Sequence, residues 1–448
     1  MPGVSLAIFH KGDLTTAAAG VINVTTGVEV TADTVMHIGS ITKVLNATLV
    51  MQLVDEGAIE LDERVVRYLP DLRLKDHEAL EQITVRMLLN HTSGIDGEGL
   101  PDYGHDEETL EKGIARYAEL GQIHRPGAEC SYCNVGTVIG GYLAQHMKGK
   151  SWYGLVRERI FEPLKMEHAA ALPEEALLHR ASVGHFLSTP PDQKLIRSSF
   201  AFLPLSLGPA GSTLMMSARD LIAFARAHIG NGLGANGVRI LSERSAKAMQ
   251  QKTVNNKGKG YTYADGIGIG WIIYENGLLN HFGGGPGIAS ALYAYPEGGF
   301  AAAILTNAEH GMSVINEVME LWFKEVGITK PFDIADIRIP SEPVKIDANK
   351  YVGVYENIMY RYRISRTRSG VELSKQAKFA EYDSISTEAT PPARLIPLGD
   401  ENFILEPDAE TLTGLHDPRG RIFAFLNPGA DGRMQHLGNF LRLYRRAS

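Results

Sequence analysis

The chain has 448 residues, 44% of them hydrophobic and 21% charged, a folded-protein composition that excludes long disordered stretches and collagen-like repeats. Its net charge of −8 gives no general attraction to nucleic acid or to an anionic membrane surface, so neither partner is expected. No apolar run reaches the roughly 18 residues of a membrane span, and the two cysteines, Cys130 and Cys133, are too few for a disulfide framework and lack a second pair for zinc.

The first residues, Met1-Pro2-Gly3, run straight into the apolar stretch Val4–Phe9. Its apolar character predicts a strand, paired with Leu14–Ala19 through the turn His10-Lys11-Gly12-Asp13. No charged segment followed by an apolar leader is visible, so a cytoplasmic location is expected. A helix is predicted from about Ser40 to Glu56, with Val44, Leu45, Leu49 and Leu53 on its period and Gly57 as its stop. Further helices are predicted near Thr84–Leu89, Thr109–Glu119, Gly136–His146, Ala218–His228 and Gly311–Val326, the last after a strand at Phe300–Leu305. Strands at both ends with helices between them describe a mixed α/β domain over residues 1–328, with sheet pieces from both sequence ends meeting.

The text then changes. Residues 329–345 are proline-rich without helical periodicity and are expected to be a linker. Residues 346–448 hold short β-rich runs: Tyr351–Tyr355, Tyr360–Ser365, Val371–Leu373, Arg394–Pro397, Phe403–Leu405, Thr411–Leu415, Ile422–Phe425 and Phe440–Tyr444. Such runs separated by turn residues predict a small antiparallel barrel or sandwich. This segment carries 14 Lys and Arg against 13 Asp and Glu, so the acidity belongs to the first domain.

Three constellations carry chemistry. Ser40 and Lys43 are three apart, so on a helix they share a face and put an amine beside a hydroxyl. A serine is a poor nucleophile until a base takes its proton, and a desolvated lysine can help do so. Alone, this spacing also fits a helix cap followed by a solvated lysine. Tyr132-Cys133-Asn134 follows Arg125-Pro126-Gly127 on a turn leading into a helix. A tyrosine beside a lysine can act as general base, and the asparagine can fix the lysine or hold a substrate amide. Finally, His281-Phe282-Gly283-Gly284-Gly285-Pro286-Gly287 precedes the strand-like Ile288–Tyr295, and its glycines let a substrate lie close to a strand edge.

In this order, Ser40-x-x-Lys43, Tyr132-x-Asn134 and His281-x-Gly283 resemble the three motifs of the serine β-lactamase-like and penicillin-binding-protein-like hydrolases, on the class C β-lactamase, esterase and D-aminopeptidase branch. Leu88-Leu89-Asn90-His91-Thr92-Ser93-Gly94, Ile160–Met166 and Gly211–Asp220 are similar to other recurring segments of that family. The tail from Lys350-Tyr351-Val352-Gly353 resembles the lipocalin-like β-barrel appended to many members. The resemblance implies an α/β (α+β) β-lactamase-like domain with an antiparallel sheet and helices, followed by an all-β lipocalin-like barrel.

It also implies covalent acyl transfer. Ser40 attacks a carbonyl, Lys43 and Tyr132 handle its proton, and the oxyanion sits between the backbone N–H groups of Ser40 and Gly284, next to Gly283. Ester or peptide/amide bonds of small substrates are then the targets, with D-stereospecificity open, and no metal or organic cofactor is needed. Two departures qualify this. Lactamases and carboxypeptidases of the family usually carry Lys where His281 stands, as the family's esterases and D-aminopeptidases do not, so weak β-lactamase activity at most is expected. Members also carry a helix before the first strand, whereas the sequence given opens directly on that strand. An acyltransferase or peptide cyclase of the same family is the nearest alternative, and a non-catalytic binding or scaffold protein is the alternative of another class. The oligomeric state is not readable from the sequence.

Other features have plainer explanations. Cys130-Ser131-Tyr132-Cys133 has redox spacing but lacks the surrounding βαβ pattern, so two buried small residues are expected, with Cys133 in a serine slot. The stretch Asp96–Glu111 holds seven acidic residues and only Lys-free, Arg-free text until Lys112, which fits either a pocket rim for a cationic group or, as charge patterning favours, a solvated loop. Arg361, Arg363, Arg366 and Arg368 fit protection of an exposed strand edge, or a grip on a substrate carboxylate. His91 fits a structural hydrogen-bonding role, while His37 and His185 support no assignment.

Overall fold

A computed structural model describes residues 1–447 except 99–101, 106–107, 189–193, 257–259, 263, 330–336, 343, 380–386 and 407–417. Strand Gly3–His10 turns back into Asp13–Gly20, so the hairpin forms where the turn chemistry placed it. The hairpin joins an eight-stranded antiparallel sheet through the pairing of Gly3–His10 with Phe300–Thr306, Val4 opposite Thr306. Ile288–Tyr295 and Leu279–Gly285 follow across the sheet, then three two-residue strands.

Both faces of the sheet are covered at its central strand Phe300–Thr306, while the edge strand Asp13–Gly20 is exposed. Along Phe300–Thr306, Ala301, Ala303 and Leu305 point into a core with Leu221 and Phe224 of helix Ala218–Ile229. Ala302 and Ile304 point into a second core with Ile315, Met319 and Phe323 of helix Met312–Val326. A strand buried on both sides needs apolar residues without alternation, and alanines let the helices approach closely.

Helix Thr42–Asp55 is buried along nearly its whole circumference, from Thr42 to Leu53. A helix buried all round has no polar stripe, so each polar side chain needs a partner inside. Asn46 donates to the Thr137 carbonyl at 3.0 Å and accepts from the Trp152 indole N–H at 2.8 Å. Gln52 donates to the Ile240 carbonyl at 3.0 Å. Helix Asn134–Lys148 packs beside it.

The C-terminal segment is a closed eight-stranded antiparallel barrel, its strands in sequence order from Gly353–Glu356 to Arg442–Arg446. Tyr355 opposite Arg446 closes the ring. Tyr355, Tyr362, Phe403, Phe423, Phe425 and Tyr444 fill its interior. The expected run Thr411–Leu415, and residues 330–336 and 343 of the expected linker, lie outside the described residues. A strand at Met434–Asn439 stands where none was expected. Closure also removes the exposed edge that the arginines of Tyr360–Thr367 were expected to protect; Arg361 instead pairs with Glu356 at 2.8 Å.

Candidate active site

Ser40 lies on a tight turn, Gly39–Ile41, that feeds helix Thr42–Asp55. Gly39 has φ +52°, and a Cβ there would lie 2.8 Å from the Gly284 nitrogen. A Cβ on Gly283 would lie 2.0 Å from the Ile38 carbonyl oxygen, and one on Gly211 would lie 2.3 Å from the Gly39 oxygen. Glycines from three separate segments therefore let bare backbone close around the serine. Gly284 itself has nothing within 4 Å of a Cβ position, so the space beside it is open.

The turn is pinned by a residue for which the sequence supplied no argument. His37 Nδ1 accepts the Gly39 N–H at 3.1 Å, and its Nε2 donates to the Ser212 carbonyl at 2.8 Å. Burial lowers the pKa of this imidazole and keeps it neutral, as that bonding pattern requires.

Lys43 is 2% exposed. Its Nζ donates to Ser40 Oγ at 3.1 Å and to the Ala210 carbonyl at 2.5 Å. Burial is the largest influence on its pKa, which falls to about 7; Glu98 opposes the fall and Arg442 adds to it. An amine that is largely protonated in water thus titrates near neutrality, within hydrogen-bond reach of the Ser40 hydroxyl.

Tyr132 sits one residue before Cys133, the N-cap of helix Asn134–Lys148. The Cys133 sulfur accepts the Gly136 N–H at 3.3 Å, as a serine cap would. Both cysteines are buried and unlinked, and burial pushes the Cys133 thiol up to about 12. The Tyr132 ring centroid is 4.8 Å from Lys43 Nζ and 4.4 Å from the His91 ring centroid. His91 accepts the Cys133 N–H at Nδ1, and its carbonyl accepts the Ser131 N–H at 2.9 Å, so it holds the tyrosine segment in place.

His281 is buried on strand Leu279–Gly285, its ring 6.3 Å from Tyr132. Burial, with Lys43 adding to it, lowers its pKa to about 3, and Nδ1 donates to the Phe282 carbonyl at 2.7 Å. Neutral His281 brings no positive charge to the cleft.

Asn134 does not fix the lysine in the described hydrogen bonds. Its amide donates to Glu98 Oε2 at 3.2 Å. Glu98 in turn holds Arg442 of the barrel, Nε to Oε1 at 3.0 Å and an Nη to Oε2 at 3.1 Å. The Arg442 guanidinium is 4.8 Å from the Tyr132 ring centroid. Asp96 is also engaged by the barrel, accepting the Ile358 N–H at 2.9 Å. Glu98 is buried and Asp96 half-buried, and both meet the barrel, so these two acidic residues are not part of a solvated loop; Asp106 and Glu107 lie outside the described residues.

Comparison with known proteins identifies the family. The family profile described as Beta-lactamase matches residues 1–318. Penicillin-binding protein 4 of Amycolatopsis lactamdurans is 38% identical over 362 residues, covering 80% of this chain and 93% of that relative. The crystal structure of SurE shares the fold, with TM-score 0.77 at 24% identity over 100% of this chain and 95% of its own. D-amino acid amidase from Ochrobactrum anthropi SV3, complexed with L-phenylalanine amide, aligns at TM-score 0.57 and 27% identity over 68% of this chain and 86% of its own. The chain belongs to the beta-lactamase family, as a hydrolase of the serine β-lactamase and penicillin-binding-protein type.

Proposed function

We propose that the chain forms an acyl-enzyme at Ser40 and cleaves ester or amide bonds of small substrates. The observation that carries this reading is the 3.1 Å contact between Ser40 Oγ and an enclosed Lys43 whose pKa is about 7. Near neutral pH a large share of Lys43 is unprotonated and can take the serine proton as Oγ attacks a carbonyl. Tyr132, beside Lys43, passes a proton to the departing amine or alcohol. In this reading the Ser40 and Gly284 N–H groups receive the oxyanion, and the space beside Gly284 is open. Water then releases the acyl group, with the same residues moving the proton back.

Neutral His281 supports ester and amide substrates over β-lactams, whose carboxylate would find no cation on that strand. The alignment with D-amino acid amidase puts D-aminoacyl amides first among the substrates to try. The test is turnover of p-nitrophenyl esters, L- and D-aminoacyl p-nitroanilides and a chromogenic cephalosporin by wild type and Ser40→Ala. Turnover of esters or anilides that is lost in Ser40→Ala is expected. Full activity in that variant ends the mechanism. A mass increment on the product when an amine is added would turn the reading towards acyl transfer.

A further inference from the structure

The barrel meets the catalytic domain through a strained turn. The hairpin between Met434–Asn439 and Arg442–Arg446 turns on Phe440 (φ +47°) and Leu441 (φ +64°). Two-residue hairpin turns of this hand favour Asn and Gly, because a side chain at positive φ is crowded. Two large apolar residues persist there because the tip is packed. Leu441 is buried and Phe440 half-buried in the cluster that holds Cys130 and Tyr132. Backbone bonds fix the tip as well. The Tyr132 N–H donates to the Leu441 carbonyl at 2.8 Å, and the Leu441 N–H donates to the Tyr261 carbonyl at 2.8 Å. The Leu443 N–H donates to Ser131 Oγ at 3.1 Å. Strain held by its surroundings at a site of chemistry points to a working part of that site.

Arg442 is the next residue along. Its planar fork binds both oxygens of Glu98, which also receives the Asn134 amide, so one guanidinium fixes the carboxylate that orients the second motif. Its cationic carbon and Lys43 Nζ each stand 4.8 Å from the same tyrosine ring. A phenol relaying a proton carries negative charge in transit, and nearby cations stabilise that charge.

We propose that the hairpin tip of the barrel is a fourth element of the catalytic site, and that Arg442 is a positioning residue acting through Tyr132 and, by way of Glu98, through Asn134. The proposal rests on the acyl-enzyme reading above. It makes the chemistry at Ser40 dependent on a docked barrel, a dependence that none of the three motifs reveals.

The charged and titratable groups facing Lys43 are Tyr132 and Cys133 from the second motif, His91 from the segment before it, His281 from the sheet, Glu98 from the loop and Arg442 from the barrel. Arg442 and Glu98 push the lysine in opposite directions. Loss of Arg442 favours protonated Lys43 and moves the acid limb of the pH–rate profile to higher pH. Loss of the Glu98 charge moves it to lower pH. A merely structural role for the pair lowers activity in both variants without separating the limbs.

The experiment follows acylation of Ser40 in the full chain, by the burst from a p-nitrophenyl ester and by mass spectrometry with a fluorophosphonate probe, from about pH 5 to pH 9. Wild type, Arg442→Met, Arg442→Lys and Glu98→Gln are compared. Arg442→Met is expected to acylate about fivefold more slowly or worse at pH 7, since a rise of one unit from a pKa of about 7 cuts the neutral fraction from about one half to about one tenth. Arg442→Lys should return the acid limb towards wild type without restoring the full rate, because an ammonium cannot reproduce the fork. Glu98→Gln should move the limb the other way. Should Arg442→Met fail to fold by circular dichroism, Arg442→Lys and Glu98→Gln carry the test through the rate loss and the opposite limb shift. Wild-type rate and limb in Arg442→Met, or limbs that move together in both pair variants, overturn the proposal alone. Folded wild type that no probe labels at Ser40 overturns the acyl-enzyme reading and the proposal with it.

Discussion

Replacing Lys43 with methionine is expected to stabilise the protein while abolishing turnover. In the unfolded chain this amine holds its proton until about pH 10.5; in the folded protein burial brings it down to about 7. Between those values the unfolded state binds one more proton, so the folded state gains about 1.4 kcal/mol for each unit by which pH rises. At pH 7 the lysine therefore costs on the order of 4 kcal/mol of stability, a cost that vanishes as pH approaches 10.5. Methionine fills a similar volume and removes this cost, but leaves the Ala210 carbonyl without its 2.5 Å donor, a loss of about 1–3 kcal/mol. The net gain is about 1–3 kcal/mol at pH 7, and it reverses sign by about pH 10. Urea titrations followed by circular dichroism at pH 7 and pH 9.5, with Ser40 acylation measured alongside, give the comparison. A variant less stable than wild type at pH 7, or a stability difference that does not change with pH, refutes the argument that an enclosed, destabilised amine serves the chemistry.

The remaining expectations use other parts of the site. Gly283→Ala forces a methyl to 2.0 Å from the Ile38 oxygen and should cost about 3 kcal/mol or more, with loss of activity, whereas Gly284→Ala points into open space and should leave the melting temperature unchanged while altering KM. Differential scanning calorimetry and kinetics on the pair separate packing from substrate contact. Tyr132→Phe keeps the ring between its neighbours but removes the proton relay, so turnover should fall about 100-fold or more with little change in melting temperature. Cys133→Ser keeps a helix cap and should leave activity near wild type; in wild type the thiol, at about 12, should resist iodoacetamide at pH 8 until the protein unfolds.

The residues legible in the sequence were those whose chemistry is set by short spacing. Ser40 and Lys43 meet because one turn of helix separates them, and Tyr132 and His281 stand near Lys43 as their order in the chain implied, whereas Asn134 meets Glu98. Residues joined only by tertiary folding were not legible. Arg442 occupies a strand, Arg-Leu-Tyr-Arg-Arg, that looks no different from Arg-Tyr-Arg at 361–363; only closure of the barrel and docking of its hairpin bring the first to Tyr132. Glu98 resembled its acidic neighbours until Arg442 arrived from 344 positions away. His37 depends on the Ser212 carbonyl across the fold. The strand Met434–Asn439 escaped because its core residues, Met434 and Leu437, are three apart rather than two, among polar residues and a glycine.

The sheet has a consequence for how the protein is made. Its first strand pairs with the strand that ends at Thr306, so nearly the whole catalytic domain must leave the ribosome before that pairing can form. At about 5–20 residues per second, the opening hairpin waits roughly 15–60 s with one edge unmatched. Ser40 and Lys43 emerge early in that interval, while Arg442 follows long after the sheet can close. Soluble yield in an expression host should therefore follow translation speed and chaperone supply more closely than the melting temperature of the finished enzyme.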